Sequence, residues 1–186
     1  GGSATGLPTV KDSVVLNNDF RSGSYVIVVG RARQDTAKAL TVGYPGNPNQ
    51  LEIMIEKGLA QSFPLTVGDG LVGNYDIIVD QGGLITNAHN KTGGRGINMA
   101  NATAKDSIWI KPGGKILHHA ATSISGVLID LLKNPTAPFG TFEWRLPFGS
   151  SFLSTAGGVF PNLILSADTF AIFTPSNSTA AGFGSC

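Results

Sequence analysis

The chain has 186 residues, of which 13 are Lys or Arg and 12 are Asp or Glu; this is 13% charged with a net charge of +1, where soluble domains carry about 25% charged residues. That balance, with no charge from Gly1 to Val10, argues against a nucleic-acid binder working through a basic arm. No apolar run approaches the roughly 18 residues of a membrane-spanning helix, and no positively charged leader with an apolar core is present.

In chain order the pattern predicts mostly strands. Ser13–Leu16 ends at the turn formers Asn17-Asn18-Asp19, and Ser24–Val29 is a β-branched run between Gly23 and Gly30. Tyr44-Pro45-Gly46-Asn47-Pro48-Asn49 is punctuated almost continuously and predicts a loop. In Leu51–Glu56 the apolar Leu51, Ile53 and Ile55 alternate with Glu52, Met54 and Glu56. That period of two buries the aliphatics and sets both carboxylates on the opposite face. Further strands are expected at Asp76–Val79, Ser107–Lys111, Phe142–Leu146, Leu163–Leu165 and Thr169–Phe173. Gly93-Gly94-Arg95-Gly96 predicts a long loop.

One internal echo links Asp76–Ile85 with Ser107–Ile116: each is a short strand, a Gly-Gly turn and a second apolar segment. Lys111-Pro112-Gly113-Gly114 suits a type II turn, since Pro fixes φ near −65° and Gly accepts φ > 0. A solenoid wants three or more such units and only two are found, so two hairpin-like corners are the expectation. Ile124, Val127, Leu128, Leu131 and Leu132 share one helical face, which predicts at most one short helix near 124–133, stopped by Asn134-Pro135. Together these features predict a single all-β domain over 1–186, an antiparallel β-sandwich or jelly roll. Its ends, 1–10 and 175–186, are expected to be flexible or to contact neighbours.

No chemistry-bearing motif stands out. His118 and His119 are adjacent, so on a strand they point to opposite faces and do not share a metal. Glu52 and Glu56, like Asp76 and Asp80, lie about 13 Å apart if extended, beyond the roughly 5–9.5 Å used by glycosidases. Asp69, Asn74 and Asp76 offer oxygens to calcium, but solvation of a loop is the expected role. Trp109 and Trp144 are expected in the core rather than as sugar platforms. The lone Cys186 forms no internal disulfide. Sequons at Asn90, Asn101 and Asn177 occur at about the chance frequency for so Asn- and Thr-rich a chain.

After Arg145 the only charged side chain of the Asp, Glu, Lys or Arg kind is Asp168, in a stretch rich in Phe, Leu and Ile. An apolar, charge-free segment of this kind marks a contact surface. The expectation is a non-enzymatic, self-assembling structural subunit of a virion (capsid, spike or decoration protein), with Phe148, Phe152 and Phe183 at the subunit interface. The alternatives are an extracellular filament subunit assembled by strand addition and a carbohydrate-binding β-sandwich. No cofactor or metal is expected, and the setting is a virion or the cell exterior.

Overall fold

The computed structural model describes residues 11–16, 23–30, 34–46, 49–69, 75–91, 94–100, 107–120, 139–154, 159–160, 162–176 and 182–183; for 149–154, 159–160, 171–176 and 182–183 the backbone alone is described. Every ladder among the described residues is parallel. The chain is therefore a parallel β-solenoid of about three turns, which corrects the antiparallel sandwich or jelly roll expected from the sequence.

Each turn contributes one strand to each of three sheets. The first runs through β1 (Ser13–Leu16), β2 (Tyr25–Val29) and β3 (Asp35–Ala37), and the second through β4 (Ala39–Val42), β5 (Leu51–Ile55) and β6 (Leu65–Val67). The third runs through β7 (Ile77–Val79), β8 (Gly83–Asn87) and β9 (Ile97–Met99), after which β10 (Ile108–Ile110) and β11 (Lys115–His118) begin another. β12 (Thr141–Leu146) and β15 (Asn162–Ala167) then extend the widest sheet, ordered β15-β12-β11-β8-β5-β2. β13 (Gly149–Ser154) pairs with β16 (Ala171–Ser176), and β14 (Val159–Phe160) with β17 (Gly182–Phe183).

Period-two alternation becomes a set of columns along the stack. In the widest sheet the inward side chains Ile27, Ile53, Ile85, Ile116, Phe142 and Leu163 lie in one register column. In the sheet β1-β4-β7-β10, Leu16, Val42, Val79 and Ile110 form another. Leu51, Ile53 and Ile55 are fully buried while Glu52 and Met54 are half-buried on the other face, as the sequence predicts. Burying each such aliphatic contributes about 1.5–3 kcal/mol, against roughly 0–1 kcal/mol for an exposed ion pair. The columns carry the fold.

The echo is the solenoid repeat itself, because Ile77 pairs with Ile108 and Leu84 with Lys115. The predicted turn forms: Gly113 has φ 81°, and Gly114 N donates to Lys111 O at 2.8 Å. An equivalent turn occurs one coil earlier, with Gly82 at φ 72° and Gly83 N donating to Asp80 O at 2.8 Å. These turns bend the chain from one sheet into the next instead of reversing it, so the two hairpin-like corners are not found. At this corner Gly83, Gly114 and Gly140 stack, each facing a backbone carbonyl where a Cβ would sit. The helix expected near 124–133 and the N-terminal end at 1–10 lie outside the described residues, as do 177–181 and 184–186 of the C-terminal end.

Candidate functional site

An inward column of the widest sheet changes chemistry along its length. It passes from Val29 and Ile55 to Asn87, His118, Trp144 and Leu165. Asn87 Nδ2 donates to Arg95 O at 3.1 Å and lies 3.3 Å from His118 Nδ1, while Asn87 Oδ1 accepts from His89 N at 3.2 Å. Gly96, at φ 69°, allows the backbone to close over the Asn87 amide, where a Cβ would come within 2.0 Å of Oδ1. The His118 ring meets Trp144 edge-on at 5.7 Å. His89 is buried beside this corner, and burial first, then the Lys91 charge, pull its pKa below the ordinary imidazole value. The Asn87 amide thus bridges β8, the Arg95 backbone and His118, and fixes the chain at this corner between two sheets.

His119 points to the opposite face, as adjacent strand positions must. Its Nε2 lies 2.6 Å from Asp168 Oδ2, and Arg145 Nε donates to Asp168 Oδ1 at 2.6 Å. Beside them Glu143 is paired with Lys115 and accepts from Ser166 Oγ. Burial raises the Glu143 pKa, but the bonds from Lys115 and Ser166 outweigh it and leave the carboxyl below its usual range. The His119 hydrogen bond, helped by Arg145, likewise holds Asp168 low. The group ties β11, β12 and the end of β15 together, so the lone acid of the C-terminal segment serves as a clamp between coils.

Asp69, Asp76 and Asp80, weighed for catalysis or calcium, are also committed. Asp76 Oδ2 accepts from Ser107 N at 2.8 Å and its Oδ1 from Asp69 N at 3.3 Å. Asp69 pairs with Lys38 at 3.1 Å and Asp80 with Lys111 at 2.6 Å. Asn74 lies outside the described residues. Among the described residues no group of three or more His, Cys, Asp and Glu is placed to hold a metal ion, and no helix is long and apolar enough to cross a membrane. Trp144 is in the core, as expected; Trp109 instead lies half-buried on the outer face, 5.2 Å from Tyr75 with the Lys111 ammonium 4.9 Å from its ring centre.

What remains uncommitted is apolar surface at the two ends of the stack. In the C-terminal strands and corners Phe148 is 66% exposed and Phe170 85%, with Leu165 at 42% in the inward row of β15 and Ile164 at 44% on its outer face. Of the three phenylalanines expected at an interface, Phe148 is thus on the surface; Phe152 and Phe183 lie on β13 and β17, whose side chains are not described. Sequence reasoning missed Phe170, Ile164 and Leu165 as surface. The signal was present in the alternation of Leu163 and Leu165, but only a solenoid register makes that row the last of its column. At the opposite end an apolar cavity of about 240 Å³ opens between the first two turns, lined by Val14, Leu16, Ile27, Val29, Leu40 and Ile53 among others. Comparison with protein-family models, with curated proteins and with solved structures finds no match.

Proposed function

We propose that the chain is a non-enzymatic structural subunit that associates with copies of itself into a spike or filament. The observation that carries this reading is the exposure of Phe148, Leu165 and Phe170, with Ile164 on the other face of β15, in a segment whose single acid is already paired. Large apolar side chains left exposed along one segment mark interaction surface, and a charge-depleted aromatic centre is the usual composition of an interface. Size-exclusion chromatography with light scattering, followed by negative-stain microscopy, tests it. The expected result is a mass above the monomer that rises with concentration and falls in Phe170→Asp, with circular dichroism unchanged. A wild-type protein that stays monomeric at high concentration refutes the reading.

A second reading rests on Trp109 and Tyr75, which form an aromatic pair on an outer face beside Lys111 and Asp80. Such a pair is suited to stacking on a sugar ring. Glycan-array binding that is lost in Trp109→Ala, by a protein that remains monomeric, would favour it over self-association.

A further inference from the structure

The two apolar ends belong to the same sheet. Among the described residues β2 and β15 are the edge strands of the six-stranded sheet, and all of its strands run in the same direction. In a parallel ladder successive residues turn their N–H and C=O groups alternately to the two neighbours. Tyr25 N donates to Gln50 O, on the β5 side, so Val26 and Val28 turn their backbone groups away from β5. Asp168 N donates to Leu146 O, so Leu163 and Leu165 turn theirs away from β12. The free sides of the two edges therefore match in parity: a pairing that sets inward residue over inward residue also completes the ladder.

We propose that copies of this chain add head to tail, β15 of one copy pairing in parallel with β2 of the next, so that Leu163 and Leu165 continue the columns of Ile27 and Val29 across the junction. The proposal rests on the self-association reading above and names its geometry. The apolar side chains at one end then meet the apolar cavity at the other. A contact between two different surfaces does not close on itself and generates an open filament, whereas a two-fold pairing of the Phe170 ends would bring β15 against β15 in antiparallel fashion. The strands of the two terminal turns are two to six residues long, and at ~3.3 Å per residue they give an end face on the order of 400 Å² at most, below the roughly 800 Å² per partner of a standard interface. Assembly is therefore reversible and concentration-dependent, with backbone bonds of the strand-addition kind supplying its direction.

The test uses two edge-blocked full-length chains. Val26→Pro removes an N–H that faces away from β5, and Leu165→Pro one that faces away from β12, so neither breaks a ladder bond inside the molecule. Ile27→Lys and Leu165→Lys replace them should either proline variant lose its wild-type circular dichroism. Light scattering should show each variant alone as a monomer at concentrations where the wild type elongates. An equimolar mixture should stop at twice the monomer mass, because one free β15 meets one free β2. If Val26→Pro alone forms dimers, the pairing is two-fold and the head-to-tail geometry is wrong while self-association stands. A monomeric wild type overturns both.

Discussion

The glycine column at the corner between the first and widest sheets gives the sharpest test of the solenoid. A Cβ at Gly114 would lie 2.2 Å from Val79 O, 2.8 Å from Val79 C and 2.9 Å from Asp80 O. All three obstructing atoms are backbone, and Val79 O already accepts from Lys111 N at 2.9 Å, so the corner relaxes only by loosening a turn-to-turn bond. Overpacking costs about 1–3 kcal/mol, and an immovable carbonyl places Gly114→Ala near the top of that range. Gly46→Ala is the control: Gly46 has φ 84° with nothing within 4 Å of the added Cβ, so it bears only the left-handed penalty of roughly 1 kcal/mol. For a chain of this size 1 kcal/mol moves the melting temperature by about 2–4 °C. Thermal unfolding followed by circular dichroism at one protein concentration should therefore show Gly114→Ala roughly 6–12 °C below wild type and Gly46→Ala roughly 2–4 °C below it. If Gly114→Ala melts no lower than Gly46→Ala, the coils do not approach at this corner as described.

Denaturant unfolding of Ile53→Ala should show a loss of about 2–5 kcal/mol, while Glu52→Ala on the other face stays within roughly 0.5 kcal/mol of wild type; equal losses contradict the register. His89 is held neutral by burial and by Lys91, so protonation is taken up by the unfolded chain first. Its share of stability is complete above the ordinary imidazole value near 6.5 and is lost as pH falls toward the depressed folded value. Urea titrations at stepped pH should show that decline in the wild type and a shallower one in His89→Gln. Asp168 is held low by His119 and Arg145, so its contribution is present above the ordinary carboxylate value near 3.9 and disappears as pH falls through the folded value. Asp168→Asn should flatten that acid limb, and an unchanged limb would remove Asp168 from the clamp.

Strand positions were legible because burial imposes a period of two whatever the sheets do next. Leu51, Ile53 and Ile55 alternate with Glu52 and Met54 identically in a sandwich and in a solenoid, so the pattern determined the inward face but not the partner strand. The partner was encoded in the spacing of repeats, and there the signal was broken. Between β7 and β8 the corner takes three residues, 80–82, and between β10 and β11 four, 111–114; between β4 and β5 it takes eight, 43–50. The extra residues in Tyr44–Asn49 hid the second turn as a unit, although Val42 stacks on Val79 as Val79 does on Ile110. Short strands such as Asp35–Ala37, Leu65–Val67 and Ile97–Met99 are three residues each, too brief for alternation to register without neighbours above and below.

The candidate site was legible in part for a related reason. The scarcity of charge after Arg145 pointed to exposed apolar surface, and Phe148 is exposed, but composition alone does not separate a side chain that ends a column from one that lies within it. Leu163 and Leu165 occupy the columns of Phe142 and Trp144, and those two are completely buried while Leu165 is 42% exposed. The difference is position in the stack, since each inward row is covered by the rows on both sides of it and the last has only one. The same logic acts at the first turn, where Ile27 and Val29 are only half-buried although Ile53 and Ile55, one strand further in, are covered. Among the described residues the first and last rows of the widest sheet are thus covered on one side only, which leaves Ile27, Val29, Leu163 and Leu165 less buried than the rows between them.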